Sequence, residues 1–80
     1  SWKHMATAST ITQNFTEIDH PIINGDPNAV VLFTNIWDSI YNDNVCGLFY
    51  RTSTQKWCIF YEVGTSIPHK ENVAYHIVIA

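Results

Sequence analysis

Two aromatic residues, Trp37 and Tyr41, lie in a polar stretch of the chain that also contains Asp38 and the Asn-Asp-Asn run at 42–44. An aromatic ring can stack on the apolar face of a sugar while nearby carboxylate and amide groups hydrogen-bond its hydroxyls, and shallow sites of this kind form on loops. The sequence therefore predicts a carbohydrate-binding surface; the alternative is that both rings pack beneath their loop. The predicted ligand-binding residues are Trp37, Asp38, Tyr41, Asn42, Asp43 and Asn44, joined by Asn24 and Asp26 of an earlier turn.

The same side chains would suit calcium, which prefers carboxylate and carbonyl oxygens as ligands. Asn24, Asp26 and Asn28 form one such group, and the residues around Asp43 form another. The ligand spacing of an EF-hand is absent, and Asn and Asp at these positions are also what tight turns require. We therefore favour turn formation and assign no metal and no cofactor.

The sequence contains no recognisable catalytic motif. His20, His69 and His76 are not paired with a serine at a nucleophile elbow, and no metalloprotease, phosphate-binding or dinucleotide pattern occurs. Carboxylate pairs such as Glu17 with Asp19 could in principle cleave a glycosidic bond, but carboxylates in turns more often cap them or aid solubility. We assign no catalytic residue and predict that the protein is not an enzyme.

Residues 45–62 must position the loop that precedes them, and they read as an antiparallel hairpin. Two runs rich in aromatic and β-branched residues flank the polar segment 52–55, which predicts a four-residue turn with Arg51 opposite Lys56. In that register Cys46 and Cys58 point to opposite faces of the sheet, so we expect no disulfide between them. Both faces are largely apolar, which predicts a central hairpin that is covered on both sides away from its turn.

The remaining segments also read as strands, and no segment shows a sustained helical period. Residues 29–36 form the most hydrophobic run and predict a strand buried on both sides. The other predicted strands are 7–16, read as an edge strand or extended arm, 17–21, and the C-terminal 73–80. The expected fold is all-β, a small antiparallel β-sandwich or barrel of about five to six strands, since one sheet this apolar could not stay soluble.

The first residues, Ser-Trp-Lys-His, resemble a cloning scar, so we set residues 1–4 aside and take residues 5–80 as a single β-domain. The formal net charge is −3, and it is one unit more negative without Lys3. With no basic patch, a nucleic-acid partner is not expected. No apolar run approaches the length of a membrane span, and no signal peptide is visible, so membrane insertion is not expected either.

Several stretches resemble a small β-domain of unknown function that recurs, often in tandem, in secreted and surface-attached bacterial proteins. The most specific is Asn-Gly-Asp-Pro-Asn-Ala at 24–29; the others are His-Pro-Ile-Ile at 20–23, Trp37, Cys-Gly-Leu-Phe-Tyr at 46–50, Lys-Trp-Cys-Ile-Phe at 56–60 and Ile-Pro at 67–68. The resemblance covers residue 18 to the C-terminus. It implies an accessory module, not a catalyst, and an extracellular or cell-surface location.

Self-association is the rival to carbohydrate binding. Both hairpin faces are apolar, and the last strand carries no polar residues that would guard an exposed edge. A homo-oligomer would bury these surfaces and multiply weak ligand sites. We therefore predict a non-catalytic, lectin-like binding module that forms a homo-oligomer, or else a structural or protein-interaction domain whose apolar surface mediates self-association.

Overall fold

The computed structural model describes residues 1–37 and 40–80, and these residues form an all-β fold without a helix. The strands pair antiparallel in two sheets, one with the order β1-β7-β4 and the other with the order β2-β3-β6-β5. Neither sheet closes into a barrel; the two contribute to one core in a sandwich-like arrangement. The strands are β1 (Trp2–Met5), β2 (Ile11–Thr12), β3 (Phe15–Ile18), β4 (Val31–Ile36), β5 (Cys46–Arg51), β6 (Lys56–Tyr61) and β7 (Ala74–Ile79).

The hairpin β5-β6 has the predicted register, with Arg51 opposite Lys56 and Phe49 opposite Cys58. Its turn is closed by the backbone N–H of Gln55, which donates to the carbonyl of Arg51 at 2.8 Å, and Gln55 adopts a positive φ of 57°. Cys46 and Cys58 are free thiols. The hairpin is not central as a whole, because β6 is paired on both sides whereas β5 lies at the edge of its sheet.

Gly47 on β5 makes room for an aromatic ring on the outer face of this sheet. A Cβ at Gly47 would lie 2.9 Å from Cε1 of Phe60, its cross-strand partner, so the ring covers the glycine. Phe60 in turn meets Phe49 edge to face, with 5.6 Å between ring centroids. This small aromatic cluster shields Cys58, which is fully buried although it points away from the other sheet.

We expect Gly47→Ala to lower the free energy of unfolding by about 1–3 kcal/mol, because the new methyl group would displace the Phe60 ring. Urea denaturation measures the effect. The same substitution in a Phe60→Leu background should cost much less, since the two residues are in contact and their effects should not add. If the Gly47→Ala variant were as stable as the parent, the packing of the Phe60 ring would not require a glycine at this position.

Two predictions about the strands of the three-stranded sheet are wrong. The C-terminal strand β7 is the central strand, paired with β1 on one side and β4 on the other. The hydrophobic strand β4, predicted to be buried on both sides, lies at the edge, and its outward-facing Leu32 is 55% exposed. The last strand therefore offers no exposed edge for self-association, because the edges of this sheet are β1 and β4.

The N-terminal residues that were set aside form the third strand of this sheet. Trp2 packs against the core and stacks on His20, with 4.0 Å between ring centroids. His4 reaches across to the other sheet, where its Nε2 lies 2.9 Å from Oγ1 of Thr16. The origin of residues 1–4 and the start of the domain at residue 5 stay predictions, and Trp2–Met5 form a strand of this fold.

The segment 7–21 also divides differently from the prediction. Residues 7–16 contain β2, a turn and the first part of β3, with Gln13 in the turn at a φ of 50°. β3 continues to Ile18 and pairs with β6, so it is an interior strand and not an extended arm. The core between the sheets is formed by the buried residues Ile18, Ile23, Val31, Ile59, Val73, Tyr75 and Ile77.

Candidate functional site

The candidate site is the loop 37–45, which leaves β4 after Ile36 and enters β5 at Cys46. Trp37 and Tyr41 are 72% and 60% exposed, so neither ring packs beneath the loop, and Asp43 is exposed as well. Asp38 lies outside the described residues. Ile40 points the other way and packs against the core, which fixes the middle of the loop to the body of the domain.

Asn42 holds the base of this loop together. Its Nδ2 donates to the hydroxyl of Tyr75 at 3.4 Å, while its Oδ1 accepts from the backbone N–H and the side-chain amide of Asn44, at 3.3 and 3.0 Å. This is the local hydrogen bonding typical of Asn in turns. The predicted ligand residues Asn42 and Asn44 thus lie in the same loop as Tyr41, but their amides stabilise the loop.

A buried network lies under the loop and is centred on Tyr75. The carbonyl of Lys70 accepts from Nδ1–H of His69 at 2.9 Å, which leaves Nε2 of the neutral ring to accept the Tyr75 hydroxyl proton at 2.7 Å. Burial lowers the pKa of His69 and raises the pKa of Tyr75, so both groups stay uncharged. The network fixes the Tyr75 hydroxyl as the acceptor for Asn42.

Cys46 borders the same network. Its thiol donates to the carbonyl of Asn44 at 3.4 Å, and its sulfur lies 3.8 Å from the Tyr75 hydroxyl oxygen. Burial raises the pKa of this thiol, so it stays protonated at neutral pH. Cys46 therefore supports the loop and is a poor nucleophile.

Lys70 joins the loop to the segment that precedes β7. Its Nζ donates to the carbonyl of Tyr41 at 3.3 Å, and its backbone N–H donates to the hydroxyl of Tyr61 at 3.0 Å. Tyr61 also stacks on His69, with 4.5 Å between ring centroids. The sequence prediction missed the roles of Lys70, Tyr61 and His69.

Asn24 and Asp26 lie at the other end of the domain, beside the β5-β6 turn. The backbone N–H of Gly25 donates to the carbonyl of Gln55 at 2.8 Å, and the Trp57 indole N–H donates to the carbonyl of Asp26 at 3.0 Å. Asn24 donates to Asp19 at 2.7 Å, and Asp26 accepts from the backbone of Asn28 at 3.0 Å. Strand β5 separates this turn from the loop 37–45, so the eight predicted residues do not form one surface.

A second chain of polar groups runs between the sheets beside β1. The Thr10 hydroxyl donates its one proton to the carbonyl of Thr7 at 3.2 Å. In the second contact of Thr10, at 2.9 Å, the Thr16 hydroxyl is therefore the donor. Thr16 must then accept from the ring of His4, whose Nε2 carries the proton. Burial, with a smaller effect of His69, lowers the pKa of His4 to about 4, so His4 is neutral at pH 7.

The described residues form no enclosed pocket, and among them no three His, Cys, Asp or Glu side chains are grouped to hold a metal ion. Within residues 1–37 and 40–80, no helix capable of crossing a membrane occurs.

The model of a domain of unknown function, DUF7452, matches residues 1–79. Neither the curated proteins nor the solved structures include a significant match to this chain. Since the family model covers nearly the whole chain, including strand β1, the chain belongs to the DUF7452 family.

Proposed function

We propose that the domain is a non-catalytic binding module whose ligand is a carbohydrate, bound at the loop 37–45. The observation that carries this proposal is the exposure of two large rings, Trp37 at 72% and Tyr41 at 60%, on one short loop. Exposed rings of this size lose little conformational entropy when they bind, and their faces match the apolar face of a pyranose ring.

Hydrogen bonds beneath the loop hold its backbone in place, which favours a binding role for the exposed rings. Asn42 fixes the loop to Tyr75, and Lys70 fixes the backbone beside the Tyr41 ring. A loop held in place before its ligand arrives loses less entropy on binding, which improves affinity without any additional contact. The ring of Tyr41 is thus presented on a backbone that is anchored from below, and Trp37 directly follows the last residue of β4.

The polar part of the proposed site is narrower than the sequence indicated. Because the amides of Asn42 and Asn44 bond within the loop, the described groups that could bind sugar hydroxyls are the exposed Asp43, the hydroxyl of the exposed Tyr41 and the side chain of Lys70. An open surface with two rings and few polar groups favours a weak interaction with a single sugar chain. The tandem, cell-surface setting that the resemblance implies would strengthen it, because linked copies bind with avidity.

Trp37→Ala is expected to weaken glycan binding at least about tenfold, because burial of a large aromatic ring contributes more than about 1.4 kcal/mol. A glycan-array screen of the purified protein identifies the ligand, and titration calorimetry with that glycan measures the change. The melting temperature should stay within about one degree of the parent value, since the ring is largely exposed.

Ile22→Ala is the matched control. Ile22 is about as exposed as the two rings but belongs to the turn region at the opposite end of the domain, so its removal should leave glycan affinity unchanged. An array with no specific binding, with and without calcium, would refute the carbohydrate proposal. If Trp37→Ala instead lowered the molecular mass in light scattering, the loop would be a protein interface.

A further inference from the structure

Strand β4 presents unpaired backbone groups along its outer edge. The backbone N–H of Ala80 donates to the carbonyl of Val30 at 3.0 Å, and the register continues from Val31 opposite Ile79 to Ile36 opposite Ala74. Because hydrogen-bonded residues alternate along an antiparallel strand, Leu32, Thr34 and Ile36 direct their backbone groups to β7. Val31, Phe33 and Asn35 direct theirs outward, where no described strand pairs with them.

The edge of β4 lacks the devices that usually keep edges unpaired. Such devices are charged side chains, prolines, bulges and very short strands. Among the other edge strands, β1 carries Lys3, β2 has only two residues, and β5 contains Gly47 and ends at Arg51. β4 has six residues and contains none of these features, so it is the least protected edge in the described part of the fold.

Apolar side chains continue from this edge over the outer face of the sheet. Leu32 is 55% exposed, its cross-strand neighbour Val78 is 41% exposed, and Val30 is exposed just before the strand. No charged side chain lies on β4, so two copies of the strand could approach each other without repulsion between like charges. The outward-directed backbone N–H and C=O groups of Val31, Phe33 and Asn35 thus lie beside an apolar surface that carries no charge.

We propose that β4 pairs with β4 of a second copy of this chain, antiparallel about a two-fold axis at Phe33. The outward-directed residues are symmetric about Phe33, so Val31 faces Asn35 of the second copy and Phe33 faces Phe33. Each facing pair lies on the same side of the sheet, as antiparallel pairing requires. The two three-stranded sheets then form one continuous sheet, and this inference does not depend on carbohydrate binding.

Asn35→Pro tests the pairing directly. Proline removes the outward N–H of Asn35 but no hydrogen bond to β7, and proline is tolerated on edge strands with this orientation. By two-fold symmetry it removes two intermolecular donors, so we expect the dissociation constant of the dimer to rise at least about tenfold. Asn35→Thr, which keeps the N–H and favours a strand, should leave the dimer intact.

Light scattering and sedimentation over a range of concentrations measure the mass, and backbone hydrogen exchange locates the interface. In a β4-paired dimer the amides of Val31, Phe33 and Asn35 exchange slowly; in a monomer they exchange fast while those of Leu32 and Thr34 stay slow. A parent protein that is monomeric at all concentrations overturns the proposal, as does a dimer whose outward amides exchange fast. The exchange pattern remains decisive if Asn35→Pro fails to fold.

Discussion

Tyr75→Ala should lose about 3–5 kcal/mol of unfolding free energy in urea denaturation, the cost of removing a large aromatic side chain from a core. Tyr75 is fully buried and meets Phe33 edge to face, with 5.8 Å between ring centroids. A domain of 80 residues is stable by about 4–12 kcal/mol in total, so the loss is a large part of the whole. At 37 °C a substantial fraction of this variant should be unfolded.

Tyr75→Phe separates the hydroxyl from the ring. It keeps the packing but leaves Nε2 of His69 and the amide of Asn42 without their partner, which should cost about 1–3 kcal/mol. Because Asn42 anchors the loop 37–45, amide exchange in that loop should also become faster. Tyr41→Phe is the control. Tyr41 is 60% exposed, so removing its hydroxyl should leave the free energy of unfolding unchanged. Equal stability of Tyr75→Phe and the parent would show that the buried network contributes nothing.

Acidification from pH 7 to pH 4 should destabilise the domain by about 1–3 kcal/mol through His4, after allowance for the solvent that reaches its ring. Burial lowers the pKa of His4 from 6.5 in the unfolded chain to about 4 in the fold. Between these values the unfolded chain binds more protons, so stability falls as the pH drops through this window and levels off below about 4. Burial lowers the pKa of His69 as well, which adds to the loss in the same direction.

Urea denaturation of the parent at several pH values measures this dependence. His4→Gln should flatten it, because glutamine can still donate to Thr16 but does not titrate. His76→Gln should leave it unchanged, since His76 is exposed on the outer face of β7. A parent protein that is equally stable at pH 7 and pH 4.5 would contradict a buried, neutral His4.

The hairpin β5-β6 could be predicted from the sequence in its register because its information is local. Two periodic runs and a polar turn of fixed length leave one pairing that matches Arg51 to Lys56, and the structure has that pairing. Order within a sheet has no such local signal. β4 and β7 are both apolar, and which of them becomes central depends on the strand that pairs with the far side of β7.

That strand is β1, and its omission accounts for the largest error in the predicted fold. Without Trp2 and His4, β7 had one partner and looked like an edge, and the apolar β4 looked like an interior strand. The apolar composition of β4 was read as burial on both sides, although one of its faces remains exposed at Leu32. Composition reports how apolar a strand is, not where in the sheet it lies.

The candidate site was partly predictable for a similar reason. The polar neighbours of Trp37 and Tyr41 left open whether the two rings bind a ligand or pack beneath their loop, and the structure has both rings exposed. The roles of Asn42 and Asn44 did not follow, because an Asn in a loop can bind a ligand or close a turn, and only its contact with Tyr75 decides between these roles. The separation of Asn24 and Asp26 from the loop 37–45 was predictable, because the two segments lie before and after the same strand, β4, and so at opposite ends of it.

The pairing of β1 with β7 determines how the domain would respond to mechanical tension. Trp2 lies opposite Ile77 in an antiparallel pair, so the first and last strands are neighbours and their outer ends lie side by side. A force that pulls these ends apart loads the hydrogen bonds of the pair one after another, as in a zipper, and does not shear them all at once. β1 would separate first, at low force. The edge of β7 that had paired with β1 would then be available to another strand.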